Sequence, residues 1–184
     1  MAPETSSQRR LRGLAPAWPF HVVLVEPEIP PNTGNIARLC AATCSPLHLV
    51  GQLGFRIDEH AVRRAGLDYW HLVQVIQHDD LAAAERAVGE AAADGPAPRS
   101  WLFSGKAERS YLEADFRPGD ALVFGRESVG LAAELLAERG AQVVGIPTLG
   151  GVRSLNLSNS VAIAVYEALR QTGGLEVDAE RVGG

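Results

Sequence analysis

Short apolar runs alternate along the chain with longer stretches of helical period. HVVLV, PLHLV, HLVQVI, WLFS, ALVF and QVVGI are rich in Val, Leu or Ile and lack a strict in-and-out polar alternation. That pattern predicts short strands buried on both faces. Helical patterns lie between them at about 34–44, 59–66, 79–93, 129–139 and 156–171. The last is the clearest: Val161, Val165, Ala168 and Leu169 share one face, and Gly173 stands where the helix should stop. Strands alternating with helices predict an α/β fold, a mainly parallel sheet flanked by helices. DGPAPRS (94–100) is a loop, and neither an internal repeat nor a second domain is visible.

Composition narrows the class. The 184 residues suit one domain, read as 20–172 between an N-terminal tail (1–19) and a C-terminal tail (173–184). No apolar run approaches the roughly 18 residues a membrane span needs. Two cysteines exclude a disulfide scaffold, and 46% apolar residues exclude a disordered chain. The first twenty residues carry basic positions ahead of apolar ones. Pro16, Pro19 and His21 interrupt them, so they read as a tail and the protein as cytoplasmic. Cys40 and Cys44 fall one helical turn apart and could meet a metal with His48. A pair of small buried residues is the simpler reading, since no further ligand cluster completes a site, and no metal is expected.

Net charge is −5, with 16 arginines and a single lysine, Lys106. An acidic total does not favour a nucleic-acid partner, but a local cluster of arginines binds phosphate whatever the total. RRAGLDYW places Arg63 and Arg64 near Tyr69 and Trp70. Cations beside aromatics suit an RNA surface, and equally a solvated face beside core aromatics.

Three loops following strands concentrate Gly, Pro, Asn, Ser, Arg and Glu, where ligands of parallel sheets bind. The first, EPEIPPNTGNIAR (26–38), predicts a helix capped by Asn32 or Thr33, with free N–H groups suited to an anion and Arg38 one turn or so inside. The second, FGRESVG (124–130), offers Gly125 for close backbone approach and Glu127 as an acceptor. The third, IPTLGGVRSLNLSNS (146–160), crowds Arg153, Ser154, Asn156, Ser158 and Asn159 around a helix start, more polar groups than capping needs. No dinucleotide fingerprint or Walker loop is present.

Taken together, VLVEPEIPPNTGNIARLCAAT, RRAGLDYW, LVFGRESVGL and IPTLGGVRSLNLSNSVAIAVYEALRQ resemble the SPOUT superfamily of RNA methyltransferases. Within it they are most similar to the tRNA (cytidine/uridine-34 2′-O)-methyltransferase family, over residues 21–172. The resemblance implies a C-terminal deep trefoil knot, which general rules of chain topology would not suggest. It implies S-adenosylmethionine as methyl donor, held at Phe103, Gly125, Ile146 and Ser154. A tRNA substrate, leucine tRNAs in particular, and a homodimer with the RNA site across the interface near Tyr166 are also implied. Asn32, Arg38, Glu127, Ser154 and Asn156 would form the reaction site, with Arg38, Arg63, Arg64 and Arg153 gripping RNA. Arg126 and Thr148 depart from the family pattern beside the cofactor loops.

A ribose 2′-hydroxyl is a poor nucleophile, so the reaction needs in-line positioning and either a base or stabilisation of developing alkoxide charge. Arg38 is open to either role, although a guanidinium normally stays protonated in proteins. Two other classes compete. A serine hydrolase would use Ser128 or Ser154, but all five histidines (21, 48, 60, 71, 78) precede both, and GRESVG is not the G-x-S-x-G elbow. A non-catalytic RNA-binding module would explain the arginines and aromatics but not the three converging loops. Another RNA of the superfamily, such as ribosomal RNA, is the alternative substrate.

Overall fold

The computed structural model describes residues 13–55, 72–95 and 97–176. Six strands, β1 (His21–Val25), β2 (Leu47–Val50), β3 (Val75–His78), β4 (Ser100–Phe103), β5 (Ala121–Phe124) and β6 (Val143–Val144), form one sheet in the order β3-β2-β1-β5-β4-β6. Every pairing is parallel. Four α-helices, α1 (Pro30–Thr43), α2 (Leu81–Ala91), α3 (Ala133–Glu138) and α4 (Leu157–Gln171), and two short 3-10 turns at Tyr111–Glu113 and Gly140–Gln142 complete the described fold.

The lack of strict alternation in the strands has the expected cause, a core on each face. Val22, Leu24, Leu47, Leu49, Leu122 and Phe124 pack toward Ile36 and Cys40 of α1 and Val161, Val165 and Ala168 of α4. Val23, Val50, Leu102 and Val123 pack toward Ala84 and Val88 of α2 and toward Leu131. The α/β expectation therefore holds, with a sheet that is wholly parallel.

Strand order fixes where a ligand belongs. β1, β2 and β3 run outward in one direction, while β5, β4 and β6 run outward in the other. The order reverses between β1 and β5, and a crevice opens at the carboxyl ends of such a pair.

Several boundaries differ from the sequence expectations. α1 begins at Pro30 rather than 34, because two prolines supply the fixed φ of the first turn and need no amide partner. Its end is a left-handed Cys44, exposed, whereas Cys40 is buried and its thiol pushed up to about 12 by that burial. The strand expected in HLVQVI forms later, at Val75–His78. α2 is shorter than 79–93, with Asp80 accepting from the Ala83 amide at 2.7 Å. α3 starts at 133 rather than 129 because residues 125–131 fold into a loop of their own. α4 matches closely, capped by Asn156 and followed by Gly173 at φ 72°. The helix expected at 59–66 lies outside the described residues. No described helix is long and apolar enough to cross a membrane.

A row of imidazoles crosses three strands. His21 Nδ1 lies 2.9 Å from His48 Nε2, and His48 Nδ1 lies 2.8 Å from His78 Nε2. Burial lowers His21 to about 4, and burial followed by the two flanking rings lowers His48 to about 3. His78 is lowered too, by burial against the opposing pull of Asp79 and Asp80.

These rings are neutral in the folded protein, whereas unfolded histidines take up protons near about pH 6.5. Their stabilisation is therefore complete above about pH 6.5 and lost as pH falls toward about 4. Thermal melts should show a steady Tm from about pH 8 to 7. Below that, stability should decline by roughly 1 kcal/mol per pH unit for each ring kept neutral. His48→Gln should lower stability at neutral pH and make the acid decline shallower. A Tm indifferent to pH in this window would overturn the reading.

Candidate functional site

The loops after β1 and β5 are tied together by side chains crossing the switch point in both directions. Glu127 accepts from the Glu28 amide at 2.8 Å, the Ile29 amide at 3.2 Å and the Asn32 side-chain amide at 3.0 Å. Reciprocally, Glu28 accepts from the Ser128 amide at 3.0 Å and the Ser128 hydroxyl at 2.9 Å, which holds its carboxyl below the usual range. Arg126 closes the set by donating to Glu26 through Nε at 2.8 Å and through a second guanidinium nitrogen.

This arrangement corrects the expected capping. Pro30 and Pro31 carry no amide hydrogen, so the first two helical positions donate nothing. The donors just ahead of them go to Glu127, a carboxylate of the chain itself, at the positive end of the helix. Asn32 and Thr33 are not caps; both are buried inside the first turn, and the Thr33 hydroxyl has no hydrogen-bond partner among the described residues. The anion site expected at this helix start is thus already filled.

From Asn32 the network continues to the third loop. Asn156 Nδ2 donates to Asn32 Oδ1 at 3.0 Å, while Asn156 Oδ1 accepts from the Ser158 amide at 2.9 Å and hydroxyl at 2.7 Å. Asn156, Ser158 and Ser160, whose hydroxyl donates to the Asn156 carbonyl, are therefore engaged in starting α4. Arg153 and Ser154 remain exposed in the loop before it. One chain of hydrogen bonds, Glu127–Asn32–Asn156–Ser158, joins residues up to 124 positions apart.

Beside this chain lies a cleft of about 880 Å3, walled by the loops after β1, β4, β5 and β6. Seven of the expected site residues line it: Asn32, Glu127, Asn156, Phe103, Gly125, Ile146 and Ser154. Arg153 lines it as well. Phe103 stacks on Phe124 with ring centroids 4.6 Å apart, giving the cleft an apolar, aromatic wall. Gly125 is required by the chain's own backbone, since a Cβ there would lie 2.2 Å from the Gly130 carbonyl carbon.

Arg38 does not join this cleft. It is exposed on α1, six residues beyond Asn32, which is about 9 Å along the axis and about 120° around it. Arg63 and Arg64 lie outside the described residues. Glu28 and Ser128 were not legible as partners, because only the adjacency of β1 and β5 brings their loops together. Among the described residues the serine hydrolase reading finds no base: Ser128 donates to Glu28, and His21, His48 and His78 bond one another. Among the described residues no cluster of metal-ligating side chains forms.

A parallel sheet with its cleft at the β1/β5 reversal, joined there by the β6–α4 loop, is the frame this chain shares with SPOUT-type methyltransferases. The SpoU rRNA Methylase family matches residues 19–166, and the chain belongs to that family. The C-terminal trefoil knot is part of the fold. A tRNA (cytidine(34)-2′-O)-methyltransferase of Burkholderia pseudomallei is 49% identical over 157 residues, covering 84% of this chain and 96% of its own. A solved structure described by the methylation of C/U34 on tRNA is 47% identical, with a TM-score of 0.73, covering 83% of this chain and 95% of that one. The SpoU methyltransferase AviRb of Streptomyces viridochromogenes, in complex with AdoMet, shares the fold at a TM-score of 0.70 and 22% identity, over 93% and 63% of the two chains.

Glu127→Gln tests the network. A glutamine offers one acceptor oxygen to three donors, leaving at least one partly buried donor unmet, at about 1–3 kcal/mol. The expected result is a Tm lowered by several degrees, with Glu127→Asp no better because it is one carbon short. An unchanged melt would show that the carboxylate does not hold the loops.

Proposed function

We propose that this protein methylates the ribose 2′-hydroxyl of nucleotide 34 of tRNA, with leucine tRNAs as acceptors and S-adenosylmethionine as donor. The carrying observation is the fixed Glu127–Asn32–Asn156 chain beside a cleft of nucleoside size. The names of the two relatives near half identity support position 34 as the target.

The cleft fits the donor. Its volume of about 880 Å3 lies within the range that holds small ligands. Phe103 and Ile146 offer apolar surface, Gly125 backbone at the end of β5, and Ser154 a hydroxyl. When bound, the donor supplies an electrophilic methyl group on a sulfonium. The chain's part is orientation and charge. Asn32 and Asn156 each spend one amide hydrogen on the network and keep the other. Held from both sides, they are preorganised donors for negative charge developing on a ribose oxygen. Glu127, with three donors already on its oxygens, positions Asn32 rather than abstracting a proton.

Arg38 acts as a cation, gripping phosphate or the developing oxyanion, since a guanidinium is not deprotonated in proteins. Because it lies away from the cleft of its own chain, its part in the reaction calls for a second copy. We therefore read the protein as a homodimer whose RNA site spans the interface.

Labelled S-adenosylmethionine with total tRNA, then nucleoside mass spectrometry, should give a 2′-O-methylated pyrimidine at position 34. Arg38→Ala should lower the rate at least about a hundredfold. Mixing the inactive Arg38→Ala and Asn32→Ala proteins should restore activity through mixed dimers. Failure of complementation would place Arg38 in its own chain's site. Product on ribosomal RNA alone would move the substrate within the family.

A further inference from the structure

The only lysine of the chain, Lys106, stands exposed in the turn after β4 and lines the same cleft. The turn is built to hold it. Ser104 Oγ accepts from the Lys106 amide at 3.1 Å, and the Ala107 amide donates back to the Ser104 carbonyl at 3.3 Å. Gly105 brings this turn against the third loop: a Cβ there would sit 3.6 Å from the Arg153 carbonyl oxygen and 3.8 Å from the Ser154 Cβ. Lys106 and Arg153 thus project from two abutting loops at one cleft.

Most other cations of the described residues are committed. Arg99, Arg117, Arg126, Arg139 and Arg170 hold carboxylates. Arg109 donates to the carbonyls of Ala141 and Glu113 and lies over the Trp101 ring. Lys106 and Arg153 have no carboxylate partner among the described residues. Uncompensated charge beside the reaction residues is where an acidic protein must meet a polyanion.

We propose that Lys106, together with Arg153, forms a two-point grip on the RNA phosphodiester backbone beside the nucleotide being methylated. The pair is complementary: an ammonium on a flexible stem serves as a point charge, while a guanidinium offers a planar fork. Glu108, two residues on and also at the cleft, opposes the grip and limits its strength. The proposal rests on the RNA-methyltransferase reading above.

The test uses the full chain with Lys106→Gln, Lys106→Arg and Glu108→Gln, their melts compared with the parent to confirm folding. Lys106→Gln should weaken tRNA binding roughly fivefold at about 0.1 M salt. It should also reduce the slope of log K against log salt by about 1. Lys106→Arg should restore both, and Glu108→Gln should tighten binding. Calorimetry with S-adenosylmethionine should give the same affinity for Lys106→Gln as for the parent. A reduced donor affinity with unchanged tRNA binding would overturn the proposal, assigning the ammonium to the donor's carboxylate. Unchanged tRNA affinity and salt slope in a parent that does methylate tRNA would overturn it while leaving the enzyme reading intact. A parent that binds neither donor nor tRNA would overturn both.

Discussion

Two adjacent prolines constrain everything at the candidate site. Pro30 and Pro31 give α1 its first turn without amide hydrogens, so the positive end of the helix cannot recruit an anion in the usual way. The chain brings its own carboxylate instead, on the loop after β5, and directs it at the two amides preceding the prolines and at the Asn32 side chain. That contact settles the path of the loop after β1. It also orients Asn32 and, through it, Asn156. The helix start becomes an internal joint between loops, and the ligand space opens beside it.

The joint is redundant in a useful way. Glu127 takes its donors from the first loop and Glu28 takes its donors from the second, so each loop presents a carboxylate to the other. Arg126 and Glu26 add a charged pair at the edge, partly exposed and worth little by itself. On the proposed reading of the site, rigidity here would serve catalysis, because donors that are already aimed require no reorganisation as charge develops.

How much of this was legible in the sequence depended on the range of the interaction. HVVLV, ALVF and the α4 face were readable because burial on both sides or along one stripe is a local pattern. The start of α1 was misplaced, since Asn and Thr before a Gly look like caps until the prolines are counted as helix. Lys106 stands out in the sequence only as the single lysine, because its position at the cleft has meaning only once Gly105 is seen to rest on Arg153. Glu28 and Ser128 are a hundred residues apart, and no local pattern pairs them. The identity of the cleft residues came from resemblance over long motifs, and the strand order explains why those motifs meet.

The imidazole row has a further property. Each neutral imidazole has one donor and one acceptor, and His48 faces a neighbour on both sides. If His21 donates through Nδ1, His48 must donate through Nδ1 in turn, and His78 then carries its hydrogen on Nδ1. If the row runs the other way, all three carry it on Nε2. The three rings therefore share a single choice of tautomer across three strands. One extra proton can be taken at the vacant end without breaking either contact. A second would force two hydrogens into one nitrogen–nitrogen contact, so three imidazoles in a row can hold one added proton between them without losing a contact.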